Sequence, residues 1–134
     1  MAQILDGYLL ASKVRRIVLP RTVARRAALA AAEKQAINIV VLDVRKVTDF
    51  TDYFVICTGA VDVHVRAIKN EIEEKLRLSG WKPLSVEGED SGRWILMDYV
   101  DVIVHVFQPD ARGYYALEKL WGDAPRVEIK GLGE

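Results

Sequence analysis

Two aspartates in the C-terminal half, Asp98 and Asp101, are the residues most suggestive of catalysis. Two-metal phosphoryl transfer needs carboxylates that project together from one face of a strand. Residues two apart share a strand face, whereas these two are three apart and flank a predicted hairpin turn. Aspartate is also a common turn residue, because its side chain accepts hydrogen bonds from nearby backbone N–H groups. The spacing therefore favours turn residues over a metal site.

A nucleotide site would need a glycine-rich turn between a strand and a helix. Residues 58–62 (TGAVD) occupy such a place, but they hold a single glycine. They lack both the lysine of a P-loop and the spacing of a dinucleotide fingerprint. The segment is more typical of a strand end followed by a helix start.

The other reactive side chains are His64, His105 and the lone Cys57. A zinc site needs three or four suitably placed ligands, so we expect no metal and no cofactor. We expect each histidine to be held by a local hydrogen bond, and Cys57 to be a small buried hydrophobe. Counting alone leaves a serine–histidine–aspartate triad open, but no Gly-x-Ser-x-Gly elbow supports one. The sequence thus predicts no catalytic residue.

Large aromatic side chains are the remaining candidates for function. Trp94 begins a predicted strand beside an acidic turn, and Tyr99 ends it. Tryptophan and tyrosine often anchor protein interfaces. An isolated aromatic residue in a strand is nevertheless more typical of the core, and the pattern alone favours the core for both.

Hydrophobic periodicity predicts the elements that position these residues. Helices are expected at 22–36, 62–79 and 110–121, where good helix formers or apolar residues recur at helical spacing. Strands are expected at 37–44, 53–58, 84–87, 94–99 and 101–107, where β-branched and aromatic residues dominate. The strand–helix–strand unit at 53–87 indicates a parallel pair, and the last three strands indicate a meander. The fold class is therefore α/β, with a mixed sheet of about five strands flanked by helices.

Length and charge bound the organisation of the chain. Its 134 residues form one domain, with residues 1–20 as an N-terminal extension, 21–123 as the folded domain and 124–134 as a flexible tail. Residues 1–36 hold seven basic and two acidic residues, and 37–134 hold 12 basic and 17 acidic ones. The mildly acidic body suits a basic protein partner better than general RNA binding. The basic arm leaves contact with nearby rRNA open, and no run of apolar residues is long enough to span a membrane.

Several blocks in a fixed order resemble the ribosomal silencing factor family, also called the Iojap family. The resemblance covers about residues 29–123. The blocks are DYFVICTG at 52–59, RAI at 66–68, VEGE at 86–89, GRW at 92–94, DY at 98–99, DVIVHVF at 101–107 and YALEKLWGD at 115–123.

This resemblance implies a fold similar to that of nucleotidyltransferases, without their active site. It implies a repressor of translation that binds the large ribosomal subunit through large-subunit ribosomal protein fourteen. By occupying the intersubunit face, such a factor blocks joining of the small subunit. Bacterial members are cytoplasmic, whereas organelle members act in ribosome biogenesis, so an organelle remains the alternative if residues 1–20 are a transit segment. Self-association through a sheet edge leaves a homodimer open.

The resemblance also implies which residues meet the partner. The interface tryptophan of the family matches Trp94, which reverses the preference for a core role, and its strand-end hydrophobe matches Tyr99. Around them we infer an acidic rim for a basic ribosomal protein, made of Glu87, Glu89, Asp90 and Asp98.

Two other functions stay open beside steric blocking. One is assembly of the large subunit through the same surface. The other is a residual nucleotidyltransferase that would use Asp98, Asp101 and Mg²⁺. The family usually has a serine two positions after the glycine of the 58–62 turn, and Val61 stands there instead, which weakens a nucleotide role further.

Overall fold

The computed structural model describes residues 20–132, apart from the side chain of Tyr114. Residues 1–19 of the expected N-terminal extension lie outside this part. Helix α1 covers residues 20–33, so it includes Pro20 and Arg21, which precede the helix expected at 22–36. No helix within residues 20–132 is long and apolar enough to cross a membrane.

Five strands and three further helices follow α1. The strands are β1 (Ile37–Asp43), β2 (Tyr53–Thr58), β3 (Ser85–Glu87), β4 (Trp94–Asp98) and β5 (Val102–Phe107). The helices are α2 (Asp62–Leu78), α3 (Pro109–Tyr115) and α4 (Leu117–Leu120). The order of elements agrees with the sequence, except that the single helix expected at 110–121 is two helices. They are separated at Ala116, whose left-handed backbone (φ 49°) ends the first one.

The strands form one mixed sheet in the order β1-β2-β5-β4-β3. Strand β5 pairs in parallel with β2, and the three strands β3, β4 and β5 form the expected antiparallel meander. The prediction that the strands at 53–58 and 84–87 are adjacent parallel partners is wrong. Strand β3 runs in the same direction as β2, but β5 and β4 lie between them. The α/β fold class itself is confirmed.

Helices α1 and α2 cover one complete face of the sheet. Alternate residues of the central strands, among them Val55, Val104 and Met97, are fully buried beneath them. Helix α2 contributes a stripe of large aliphatic side chains at helical spacing, including Ile68 and Ile72. The contacts of α1 are mostly alanines, whose small side chains allow a helix to lie close to its neighbours. This layer is the main core.

The opposite face is covered only in part. Its smaller core joins Val40, Leu42, Ile56 and Phe107 with Ala111 of α3. Helix α4 has no buried residue of its own. The guanidinium of Arg112 holds this region to the sheet, since it donates to the Asn38 carbonyl (2.6 Å), to Thr58 Oγ1 (2.8 Å) and to Glu118 Oε1 (2.8 Å). Residues 20–132 therefore leave much of the face over β4 and β5 uncovered.

The C-terminal segment 124–132 is docked rather than a flexible tail. The N–H of Val127 donates to the Val41 carbonyl (2.8 Å), and the N–H of Asp43 donates to the Pro125 carbonyl (2.9 Å). Val127, Ile129 and Leu132 also pack against the main core. The glycines and proline of this segment suggested looseness, but the segment pairs along the outer edge of β1. It therefore shields an edge that would otherwise offer free backbone groups to another chain.

We expect the substitution Val127→Pro to lower the free energy of unfolding by about 1–2 kcal/mol, because it removes the N–H that bonds β1. Urea unfolding followed by circular dichroism measures this loss, and size-exclusion chromatography with light scattering tests for self-association through the freed edge. Val127→Thr keeps the N–H and the branched shape and is the matched control. Equal stability of the two variants would show that the docked segment contributes little.

Candidate partner-binding face

An open groove lined mainly by apolar side chains lies on the half-covered face of the sheet and encloses about 240 Å³. We call it the aromatic groove. It is lined by Phe50, Phe54, Trp94, Leu96, Ile103, His105, Leu117 and Trp121.

Strand alternation places the floor of the aromatic groove. Trp94 and Leu96 share one face of β4 because they are two residues apart. Across the ladder Leu96 lies opposite His105 of β5, so the imidazole belongs to the same face. On the next strand, Ile56 lies opposite His105 in the parallel register. The floor is thus fixed by backbone pairing rather than by loops.

Trp94 forms one wall of the groove. Its ring stacks on Phe107 at 5.0 Å between centroids and lies 4.5 Å from the ring of Tyr115. Its indole Nε1–H donates to Nδ1 of His105 at 3.1 Å. The side chain remains half-buried, so part of the indole is open to a partner.

The other wall is built from loop and helix residues. Phe50, in the loop between β1 and β2, lies 6.1 Å from Trp121 and 6.0 Å from Phe54, ring centroid to centroid. Phe54 meets Trp121 edge-on at 5.5 Å. Phe50 is 57% exposed, so its ring adds apolar area to the surface beside the groove.

Tyr99 does not lie on this face. It is 5% exposed and packs in the main core with Ile95 and Met97, beneath the helices. Five positions separate Tyr99 from Trp94, and an odd separation along an extended strand reverses the face. The expectation that the two aromatics form one surface is therefore wrong, and Leu96 takes the place that Tyr99 was expected to hold.

The four acidic residues of the expected rim divide into two pairs. Asp98 shares the face of Trp94 and Leu96 on β4, and Glu87 lies opposite Leu96 at the edge strand, so both belong to the groove face. Glu89 instead forms an ion pair with Lys69 of α2 (3.0 Å). Asp90 belongs to the same loop, where Nη2 of Arg66 donates to its carbonyl (2.7 Å). The structure does not bring Glu89 and Asp90 to the groove.

The loop that carries Glu89 and Asp90 has a fixed path. Gly88 has φ +86°, and a Cβ there would lie 1.9 Å from the carbonyl oxygen of Trp94. Only glycine fits this approach. The loop is therefore held at Gly88 against β4, and Arg66 of α2 holds it through the backbone carbonyls of Glu89 and Asp90.

Asp98 and Asp101 act as turn residues. The carboxylate of Asp98 accepts from the Val100 N–H (2.7 Å), and the Asp101 N–H donates to the Tyr99 carbonyl (2.9 Å). Within residues 20–132, no three His, Cys, Asp or Glu side chains converge as a group able to hold a metal ion. The bonds of Asp98 and Asp101 agree with the turn interpretation.

The 58–62 turn is explained by packing. A Cβ on Gly59 would lie 2.8 Å from the backbone nitrogen of Val65, so glycine allows α2 to begin close to the end of β2. His64 locks the same corner, because its Nδ1 accepts from the Ala60 N–H (2.8 Å) and its Nε2 bonds the Lys34 carbonyl (2.7 Å). Cys57 is fully buried, and this burial raises the pKa of its thiol to about 12. These residues have structural roles, as the sequence indicated.

Comparison with known proteins identifies the family. The protein-family model described as "Ribosomal silencing factor during starvation" matches residues 19–134 of this chain. The chain belongs to the ribosomal silencing factor family.

Individual members of this family are similar over most of the chain. The ribosomal silencing factor of Bacillus subtilis (strain 168) is 43% identical over 109 residues, which is 81% of this chain and 92% of that protein. A crystal structure of a Chromobacterium violaceum protein superposes with a TM-score of 0.75 at 32% identity, covering 82% of this chain and 91% of the other. A mouse protein named "Mitochondrial assembly of ribosomal large subunit protein 1" is 30% identical, over 66% of this chain and 40% of its own length.

Of the eight side chains that line the groove, Trp94 alone was expected at the site from the sequence. Phe50, Leu96 and Trp121 were not expected to join Trp94. Leu96 follows from the two-residue alternation of β4 and was within reach of the pattern. Phe50 stands in a polar loop and Trp121 follows α4, so their meeting depends on the fold and has no local signal.

Burial lowers the pKa of His105 from 6.5 to about 4. Between these two values the unfolded chain binds a proton at this residue and the folded chain does not. Stability that is present above pH 6.5 is therefore lost as the pH falls towards 4. We expect this group to account for a loss of order 3 kcal/mol or less. Urea unfolding at several pH values should show a shallower decline for His105→Asn than for the wild type, and parallel profiles would contradict the expectation.

Proposed function

We propose that this protein silences ribosomes by occupying the large subunit. The aromatic groove binds a ribosomal protein on the intersubunit face, for which large-subunit ribosomal protein fourteen is our candidate, and the bound factor blocks small-subunit joining and represses translation. The observation that carries the proposal is the open groove around Trp94 in a chain of this family. A half-buried tryptophan in an open apolar groove is the type of residue that dominates binding energy in interfaces.

The mechanism that we propose is steric and needs no reaction. The factor and the small subunit use the same surface of the large subunit. The two subunits therefore cannot join while the factor is bound to that surface. The residues around the groove suit such a role, because they supply apolar area and a polar rim rather than a nucleophile with an adjacent base. We therefore propose a binding protein and not an enzyme.

Charge supports a basic partner at this face. Glu87 and Asp98 stand on the groove side, and residues 37–134 carry 12 basic against 17 acidic residues. Charges at the edge of an interface chiefly accelerate encounter and select partners. A ribosomal protein rich in lysine and arginine matches this arrangement better than bare rRNA does.

A second candidate function is assembly of the large subunit. It is favoured by the name of the mouse relative, which refers to assembly of the mitochondrial large subunit. Both functions use the same surface, and they differ in whether the bound subunit is mature. We place this chain in the cytoplasm with its bacterial relatives, and an organelle is the alternative.

The direct test is co-sedimentation of the purified protein with separated ribosomal subunits, followed by addition of the complementary subunit. We expect the protein to pellet with large subunits alone and to prevent formation of complete ribosomes. Binding to neither subunit would overturn the proposal. Binding to immature large particles but not to mature subunits would favour the assembly function.

We expect Trp94→Ala to weaken binding to the large subunit by more than about 1 kcal/mol, while the protein remains folded. The physical reason is the loss of the half-buried indole from the groove wall. Binding isotherms measure the affinity, and thermal unfolding checks the fold. Leu78→Ala, which removes an exposed apolar side chain from α2, is the control and should bind normally. Unchanged affinity of Trp94→Ala would remove this residue from the interface.

We expect Glu87→Lys to slow association and to weaken binding a few-fold at low salt, because a rim charge on the groove face would then repel a basic partner. Asp90→Lys changes the net charge equally, but residue 90 lies in the loop held by α2, so its effect should be smaller. Stopped-flow association rates at two salt concentrations measure both. Equal effects would indicate that only total charge matters, and not this face.

A further inference from the structure

We propose that His105 is a positioning residue that fixes the orientation of the Trp94 indole and thereby the chemistry of the aromatic groove. The inference rests on the proposed function, because it assigns the groove a preference for apolar side chains. His105 would not itself need to touch the partner, since it is 5% exposed.

The first observation is the hydrogen bond between the two side chains. Trp94 Nε1–H donates to His105 Nδ1 at 3.1 Å, within the range of a normal N–H···N contact. Because Nδ1 accepts, the proton of the neutral imidazole stands on Nε2. The bond links β4 to β5 diagonally, since Trp94 lies opposite Phe107 in the ladder and His105 lies opposite Leu96.

Ring packing alone does not fix the indole in this way. The contacts with Phe107 and Tyr115 hold the plane of the Trp94 ring, but stacking tolerates rotation of one ring over another. A hydrogen bond is directional and selects the edge of the indole that points inward. His105 thus supplies the constraint that the neighbouring rings lack.

The second observation is that packing alone does not explain a histidine at position 105. Its Nε2 is buried and has no hydrogen-bond partner among the described residues. Burial of an unpaired donor costs free energy that a leucine or phenylalanine at the same position would avoid. The bond from Trp94 is the one described hydrogen bond of this side chain that offsets the cost. A locally unfavourable free energy of this kind is typical of residues that serve function rather than stability.

The orientation has a consequence for the occupant of the groove. With its N–H turned to His105, the indole offers its carbon edge and face to an incoming side chain. The partner therefore gains by inserting an aliphatic group, and a carbonyl or carboxylate that approaches Trp94 finds no free indole donor. The groove is specific for an apolar anchor, and the acidic rim residues Glu87 and Asp98 receive the charged groups around it.

The test compares His105→Leu with His105→Asn. Leucine has no acceptor for the indole, whereas the Asn side-chain oxygen lies close to the position of Nδ1 and can accept the same bond. We expect His105→Leu to weaken large-subunit binding about five- to tenfold, the equivalent of one hydrogen bond. We expect His105→Asn to recover most of this loss.

A second readout follows the indole directly. The protein has three tryptophans, so ¹⁵N spectra contain three indole N–H signals, and Trp94→Phe assigns the one of interest. Hydrogen exchange of the Trp94 N–H should be slow in the wild type and in His105→Asn and faster in His105→Leu. A purely structural role of His105 would not separate the two variants in this way. If His105→Leu is unfolded, His105→Gln replaces it, because its amide reaches the place of Nε2 and not that of Nδ1.

Three results would overturn the inference: normal binding by His105→Leu, equal losses in the leucine and asparagine variants, or fast indole exchange in the wild type. Trp94→Ala separates these results from failure of the proposed function. If Trp94→Ala weakens binding and His105→Leu does not, only the role of His105 is wrong. If Trp94→Ala also binds normally, the groove itself is not the interface.

Discussion

Strand β5 lies between β2 and β4, and its register against both decides which side chains reach the aromatic groove. The parallel ladder with β2 sets Ile56 beside His105, and the antiparallel ladder with β4 sets Leu96 on the other side. A one-residue shift of β5 against β2 would turn His105 towards α2 and expose Val104. A one-residue shift of β4 against β5 would do the same to Trp94 and Ile95. The buried face prevents such a shift, since Val104 and Ile95 are completely covered there. The covered layer therefore maintains the geometry of the uncovered one.

The two faces of the sheet differ because, within residues 20–132, the helices over one face are long and those over the other are short. Helix α2 has 17 residues and lies with α1 over the main core, whereas α3 and α4 have seven and four. The break at Ala116 turns the chain so that Trp121 returns over Phe54 instead of continuing along the sheet. The described part of the chain leaves a strip over β4 and β5 uncovered. Exposed apolar area of this kind often marks an interaction site, which is why the proposed function assigns it to a partner.

The sequence predicted the positions of the helices and strands better than it predicted which strands are adjacent in the sheet. Regular periodicity located α2 and β2 to within a residue, because the pattern of each is local. The position of β3 at the far edge was missed, since strand order is decided by contacts between residues distant in sequence. The docking of 124–132 on β1 was missed for the same reason, as glycine and proline there describe the turns and not the pairing. Tyr99 was placed on the wrong face because its position was taken from the resemblance. Side chains alternate between the two faces along a strand, and this rule places Tyr99 opposite to Trp94.

The site shows the same division between local and distant information. Trp94 and the turn role of Asp98 followed from the family blocks and from residue type. The bond between Trp94 and His105 joins residues that are 11 positions apart on two strands, and it requires the register to be known. The division of the acidic residues likewise depends on Lys69 and Arg66, which hold one part of the loop against α2. Counting charges predicted that the body of the protein is acidic, but it did not predict which face carries the acidic residues.

The two walls of the aromatic groove differ in mechanical character. Trp94 belongs to β4, where it pairs with Phe107 of β5, so its position is fixed by the sheet. Trp121 follows α4, a helix of four residues with no buried residue, which is attached by partly buried packing of Leu117 and by the bond between Arg112 and Glu118. Segments with little buried apolar area move at low energetic cost. If the proposed function holds, a partner side chain in the groove would contact a wall fixed in the sheet on one side and a wall with little buried area on the other. One recognition surface would then accept side chains of different width.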